Sequence, residues 1–554
     1  MRAVGTLLGV DLLLLVPLWI RFHGLRPHLV ALEAVLLVGV FLVVPRRRWS
    51  TVLAGVAGAL VVVTSVLLVA DTAARMSLAR PLNLYLDVRL AGSVEDLLTG
   101  AVGRGWAMLA LVGGGVVALA IAGGLAWLLA SLRVDGDPAA TPAGRGRLGA
   151  LLHPRTRAVG MGLLVVGAAA IPLRWTHPRG IVLGLPATQL VREQGHQLAR
   201  MLQERDRFGR EMAAAPERPP DTSGLLRGLG GRDVILSFVE SYGTTVLEDP
   251  RYAPVVVPRL EAMEASLADR GLTVLTGRMV APSQGGMSWL GHGSILSGLW
   301  LENQLRYDLL LASDRTTLVD DFEAAGYRSV ALMPAITLAW PEGQRFGYEE
   351  IYARKDIDYA GPPLNWVTMP DQFTWWFLEG TIRRSDDPRP VFAELGLISS
   401  HAPWTPILPL LEDWGEVGDG TVFQRWADAG EAPEELWRDA DRVREHYARS
   451  VAYAVDVLGS WAAEFVDSET LLIAMGDHQP APLITGDDAP RTVPVHVITG
   501  DPALAAPFLE LGFVAGAIPD PEAPPVRMDA FRGWFLDRYS QPAQDTVHVA
   551  RRLP

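Results

Sequence analysis

Apolar residues crowd into the first third of the chain. Four long apolar runs cover residues 4 to 20, 29 to 44, 51 to 70 and 106 to 131, and a shorter, glycine-rich run, "AVGMGLLVVGAAAIPL", covers 158 to 173. A helix needs about 20 apolar residues to cross a bilayer, with a lower range near 17. The pattern therefore predicts an N-terminal bundle of about five transmembrane helices. More spans follow the first run at once and no small-x-small cleavage site ends it, so it reads as an uncleaved span and not as a signal peptide.

Beyond about residue 175 the period changes. The polar stretch "REQGHQLARMLQERDRFGREMAAAPERPPDTSG" (192 to 224) reads as a helix followed by a Pro-rich linker. After it, short β-rich runs alternate with helical periodicity. "DVILSFV" (233 to 239), "LTVLTG" (272 to 277), "YRSVALMP" (327 to 334), "PVFAELGLIS" (390 to 399), "TLLIAMG" (470 to 476) and "PVHVITG" (494 to 500) read as buried strands. Between two of them Val443, Tyr447, Val451, Ala454, Leu458 and Trp461 recur at helical spacing over 441 to 465. Continuous apolar strands alternating with helices predict a mostly parallel sheet covered on both faces. The expected organisation is a membrane part at 1–175, a juxtamembrane helix and linker at 176–229, an α/β domain at 230–540 and a tail at 541–554.

Charge sets the orientation. Arg46, Arg47, Arg48, Arg133, Arg145, Arg147, Arg155 and Arg157 lie in one set of loops, whereas the opposite short loop has only Arg21 and Arg26. The positive-inside rule then places the N-terminus in the cytoplasm and, with five spans, the α/β domain outside it. The expected location is a bacterial inner (cytoplasmic) membrane, crossed several times. The chain of 554 residues has net charge −13, and its acidic excess argues against a nucleic-acid partner. The absence of cysteine excludes disulfides, thiolate metal sites and a Cys nucleophile. Within the apolar runs, Asp11 and Glu33 are the few ionisable residues, which argues against a transporter.

In sheets of this kind ligands sit beyond the C-terminal ends of the strands. Glu240 directly follows the first strand in "FVESYG", His401 follows the fourth in "SSHAPW", and Asp477 and His478 follow the fifth in "MGDHQP". Ser288, in "SQGGMSWLGHGSILSG", follows the second strand after a loop, at the expected first turn of a helix. Four distant segments thus deliver polar groups to one sheet edge. Glu240, Asp477 and His478 form a hard-oxygen-plus-imidazole set suited to one divalent cation, Mn2+, Mg2+ or Zn2+. Ser288 as a further ligand would be pushed toward alkoxide. Gly285 and Gly286 would let the backbone approach an anionic ligand. As alternatives, Ser288 reads as a helix cap, and His292, one turn later, as structural.

This set resembles the alkaline phosphatase/sulfatase superfamily and, within it, the lipoteichoic acid synthase-like phosphoglycerol transferases, over roughly 230 to 540. The resemblance implies metal ligation by Glu240, Ser288, Asp477 and His478, with Mn2+ the expected ion. It implies Ser288 as nucleophile, with Gly298 at its helix end, and His401 as a catalytic histidine on the substrate side. It further implies a membrane phospholipid as donor and an envelope glycan or alcohol as acceptor. Ser288 is followed by "WLGH" and not by the Pro and Arg of formylglycine sulfatases, so sulfatase activity is not expected. Where the synthases place a phosphate-binding Arg two residues after a Trp, this chain has Trp340 and then Glu342. Trp340, Glu342, Arg345 and Trp404 are the expected substrate-side residues. A hydrolase acting through the same site, and a non-catalytic envelope-binding module, are the alternatives.

Overall fold

The computed structural model describes residues 1–21, 30–78, 81–87, 104–134, 147–176, 183–215, 224–486 and 488–540. The expected tail at 541–554 lies outside the described residues. The chain divides into two compact units, Met1–Glu204 and Arg205–Pro554.

The first unit holds α1 (Arg2–Arg21), α2 (Leu32–Val43), α3 (Arg48–Leu78), α4 (Arg104–Leu132), α5 (Arg147–Thr176) and most of α6 (Pro186–Ala214). Among the described residues three stretches, Arg2–Arg21, Arg48–Arg75 and Gly105–Leu132, are long and apolar enough to cross a membrane. Their surfaces suit lipid: Leu60, Leu109, Val112 and Leu119 are all exposed, a continuous apolar exposure that water would penalise. The second apolar run forms a helix of only 12 residues, and the fifth lies inside the 30-residue α5. Small residues bring these two helices together. A Cβ on Gly160 would come within 2.8 Å of Leu42 Cβ, and one on Gly167 within 2.7 Å of Leu36 Cδ2, the close approach that glycine permits between helices in lipid. Asp11 and Glu33 serve the backbone: Asp11 accepts from Ala31 N–H at 2.8 Å, and Glu33 accepts from Thr188 N–H at 3.0 Å.

The second unit is built on a nine-stranded sheet. Its strands are β1 (Asp233–Val239), β2 (Thr273–Val280), β3 (Arg328–Met333), β4 (Glu350–Ala353), β5 (Val391–Gly396), β6 (Thr470–Gly476), β7 (Thr492–Thr499), β8 (Val514–Ala515) and β9 (Val526–Arg527). The order is β8-β2-β7-β6-β1-β5-β3-β4, with β9 beside β2. The run β6-β1-β5-β3-β4 is parallel throughout, and β7 pairs antiparallel with both β6 and β2. Residues 477–491 join β6 to β7 with only a four-residue helix between them, so the chain turns back where a crossover helix would have kept it parallel.

Alternation along the strands feeds two cores. Val234, Leu236 and Phe238 of β1 pack into one face with α8 (Ser288–Ser297), and Ile235 and Val239 into the other with α7 (Ala253–Asp269) and α9 (Ala440–Phe465). Both faces being covered, the central strands are apolar at nearly every position, as the sequence pattern predicts. Every candidate residue read from the strand ends lies at or beyond the C-terminal end of a strand.

Candidate active site

Glu240 directly follows β1, and the next residue turns the chain sharply. Ser241 has φ 54°, a left-handed conformation costly for a residue with a side chain. The turn aims Ser241 N–H at Asp477 Oδ1, 2.7 Å away, and its hydroxyl at Glu240 Oε1, 2.6 Å away. Tyr447 of α9 holds the turn by donating its hydroxyl to Ser241 O at 2.8 Å. The ends of the neighbouring strands β1 and β6 are thereby tied together.

Asp477 and His478 follow β6 and are buried. Asp477 Oδ1 accepts two backbone N–H groups, those of Ser241 and His478, each at 2.7 Å. Asp477 Oδ2 faces His478 Nε2 at 3.6 Å. His478 Nδ1 lies 2.9 Å from Gln479 O, which makes Nδ1 the protonated nitrogen and leaves Nε2 to face the pocket.

The loop before α8 is pinned against this turn. Gly285 N–H donates to Gln479 O at 2.7 Å, and a Cβ on Gly285 (φ 70°) would meet Ala481 Cα at 3.0 Å. Met287 (φ 62°) takes the N-cap position without a capping side chain, and Ser288 is the first helical residue. Ser288 therefore does not cap its helix. Its Oγ lies 3.3 Å from His478 Nε2 and 3.4 Å from Glu240 Oε2, and Glu240 Oε1 is 3.7 Å from His478 Nε2.

One ligand atom each from Glu240, Asp477 and His478 falls within 4.8 Å of the others, a grouping that could hold a metal ion. The donor set fits a divalent cation. Each ligand has one atom anchored by an outer hydrogen bond and another directed inward, as metal ligands require. The electrostatics agree. Burial and then the charge of Asp477 push the Glu240 carboxyl above its ordinary range. Burial alone would lower the His478 imidazole, but the carboxylates of Asp477 and Glu240 outweigh it and raise the ring. Two crowded buried carboxylates are a charge arrangement that a bound cation relieves.

His401 lies beyond β5. Its Nδ1 faces Ala402 O, leaving Nε2 available, and the ring lies within electrostatic reach of Glu240. Ser400, just before it, donates to Glu240 O. Buried Asp371 accepts from the N–H groups of Ile398 and Ser399 at 2.9 and 2.8 Å, which fixes the backbone leading to His401.

The aromatic expectations divide. Trp404, expected to line the cleft, is buried: it stacks on Trp437 at 5.6 Å and donates Nε1–H to Ser400 O at 2.7 Å, bracing the His401 segment from within the core. The aromatic face beside His401 is instead Trp366, 74% exposed, with its ring 6.3 Å from the imidazole and 17° from parallel. "PPLNW" gives no periodic cue for it, and only its position in a Pro-rich loop signals exposure. Trp340 is half-buried and tilts against Tyr348 at 6.4 Å. Glu342 is half-buried and within electrostatic reach of Tyr307. Arg345 is exposed and donates to Leu311 O, with Asp314 at 3.5 Å.

No family model and no curated sequence matches the chain. Among solved structures it is similar to the lipoteichoic acid synthase LtaP from Listeria monocytogenes, at 12% identity and TM-score 0.36 over 52% of this chain and 69% of that one. It is also similar to a protein in the alkaline phosphatase superfamily from Vibrio parahaemolyticus, at 16% identity and TM-score 0.34 over 55% and 69%. A third is the C-terminal periplasmic domain of EptC from Escherichia coli, at 16% identity and TM-score 0.35 over 58% and 86%.

Proposed function

We propose that the protein is a membrane-bound, metal-dependent phosphotransferase that moves a phospho-headgroup from a membrane phospholipid to an envelope acceptor alcohol through a covalent Ser288 intermediate. One observation carries the reading: Ser288 Oγ stands 3.3 and 3.4 Å from the inward atoms of His478 and Glu240, residues brought from separate strand ends. A hydroxyl with no capping duty, placed against a cation-binding set, is arranged as a nucleophile.

Glu240, Asp477 and His478, with Ser288 beside them, would hold a divalent cation, which would supply positive charge to favour the ionised hydroxyl and the transferring phosphoryl group. Mn2+ is the ion that the resemblance implies, and the donor set suits Mg2+ or Zn2+ as well. Ser288 Oγ loses its proton to solvent and forms a bond to phosphorus while the bond to the diacylglycerol oxygen breaks. His401 Nε2 gives that oxygen a proton. In the second half His401 takes the proton of the acceptor hydroxyl, whose oxygen bonds to phosphorus as the Ser288 ester breaks and Oγ regains a proton. Catalysis is then mostly positioning and charge. With water as acceptor the same steps make a phosphodiesterase. Anchoring by apolar helices favours a lipid donor through local concentration.

The domain belongs outside the cytoplasm. With α2 and α5 both crossing, the arginine asymmetry sets the N-terminus inside, and five spans leave the domain across the membrane from it. A reporter fused after residue 540 that is active only in the cytoplasm overturns this.

The decisive experiment uses the full-length chain in vesicles carrying a headgroup-labelled phospholipid. Label is expected to remain covalently on the wild-type protein and to be absent from Ser288→Ala. Full transfer by Ser288→Ala refutes the mechanism.

A further inference from the structure

Strand β5 carries one carboxylate among apolar residues, in "VFAELG". Glu394 lies in the centre of the sheet and is 1% exposed. A buried carboxylate costs far more than an apolar side chain of its size unless both oxygens are satisfied. Here each oxygen serves one partner. Oε1 lies 2.8 Å from His292 Nδ1, and Oε2 accepts the hydroxyl of Tyr348.

The histidine so held is one helical turn beyond Ser288 on α8. Residues four apart on a helix have Cβ atoms about 5–6 Å apart, and the later side chain leans back toward the earlier turn. The His292 ring also lies flat on Phe238, with centroids 3.7 Å apart and planes 19° apart, and Phe238 precedes Glu240 by two residues on β1. Its plane and one edge are thus fixed by contacts to two central strands. The side chain keeps 16% exposure, so the site is not sealed. A Cβ on Gly396 would come 3.7 Å from His292 Cε1, so β5 presents only backbone on that side of the ring. With Nδ1 committed to Glu394, Nε2 is the ring atom left to act on a ligand.

Resting on the phosphoryl-transfer reading of Ser288, we infer that His292 is a further catalytic residue: its Nε2–H donates to a non-bridging oxygen of the phosphoryl group attached to, or attacked by, Ser288. Glu394 and Tyr348 are positioning residues that fix the Nδ1 edge of the ring. The ligand chemistry is a phosphate mono- or diester oxygen. The ring faces Glu394 through Nδ1 and the anionic substrate through Nε2, with no proton transferred. No bond is made or broken at the ring, and its effect is to stabilise charge on an oxygen that gains it as the phosphoryl group transfers.

The test uses the full-length protein with Mn2+, bis(p-nitrophenyl) phosphate as reporter substrate, and inorganic phosphate as the binding probe in calorimetry. His292→Ala is expected to lower kcat/KM by about 100-fold, the scale for removing one such donor. It is also expected to weaken phosphate binding by about tenfold or more, with metal stoichiometry unchanged. Free imidazole is expected to restore part of the turnover. If His292→Ala does not fold, Glu394→Gln, which keeps the size of the buried side chain, is expected to weaken phosphate binding at unchanged metal stoichiometry. Phosphate affinity and kcat/KM within twofold of wild type in the folded variant, with Ser288→Ala inactive, overturn the inference alone. Turnover retained by Ser288→Ala overturns the reading beneath it.

Discussion

His478 Nε2 stands 3.3 Å from Ser288 Oγ while the other nitrogen of the same ring is fixed on Gln479 O at 2.9 Å. The imidazole cannot turn without giving up that bond, so the hydroxyl faces a nitrogen whose direction is set by backbone. Such an arrangement is worth keeping rigid only if something is held between the two and the adjacent carboxylates.

A cation bound there stabilises the folded chain by mass action, by about 2.7 kcal/mol at a free concentration one hundred times its dissociation constant. Adding Mn2+ to chelator-treated protein is therefore expected to raise the thermal midpoint, and Glu240→Gln to remove most of that rise. A midpoint indifferent to both Mn2+ and chelator would favour the binding-module alternative.

The two tryptophans near His401 are expected to respond in opposite ways. Trp366→Ala removes an exposed ring lying near-parallel to the imidazole and is expected to raise KM with little change in thermal midpoint. Trp404→Ala empties a buried position and releases Ser400 O, with an expected loss of roughly 3–5 kcal/mol. Denaturation and steady-state kinetics on both variants check the division.

His496, on β7, is fully buried between Tyr242 Oη at 3.1 Å and Thr276 Oγ1 at 3.0 Å. Burial lowers its pKa from 6.5 to about 4. Below 6.5 the unfolded chain takes up a proton that the folded chain refuses, so stability is complete above that pH and falls as pH drops toward 4. The loss across the window is roughly 3 kcal/mol. His496→Gln is expected to flatten the pH dependence of the thermal midpoint between pH 6.5 and 4.5. An unchanged slope would contradict the assignment.

If Glu342 stands where the proposed resemblance would put an arginine, Arg345, the nearest cation in sequence, does not replace it, since it is engaged with Leu311 O and Asp314. A headgroup carrying an amine or hydroxyls suits Glu342 better than a second anionic group. A charge-assisted bond to an amine is worth roughly 1.5–3 kcal/mol. Glu342→Arg, assayed on phosphatidylglycerol and phosphatidylethanolamine together, is expected to shift their ratio toward phosphatidylglycerol by about tenfold. No shift would remove Glu342 from the headgroup.

The sequence by itself determined what depends on local period and on strand ends. Continuous apolar strands announced a parallel sheet with both faces covered, and Glu240, His401, Asp477 and His478 were legible because a polar residue just past a buried strand has few other reasons to be there. Ser288 was legible as the start of a helix, but whether it capped that helix depended on the loop pinned by Gln479, nearly 200 residues away. The tertiary structure alone decided the rest. The turn-back of β7, the 12-residue length of α2 and its glycine contact with α5 depend on which neighbours pack. Trp404, expected at the cleft, is buried and Trp366 is exposed, because exposure of an aromatic in a loop is set by what folds over it. Glu394 is visible in the sequence as a charge inside a strand, but His292, over 100 residues earlier, is its partner only because the sheet carries β5 beneath α8. Short-range spacing records which groups a strand end offers, and only chain crossing in three dimensions decides which of them meet.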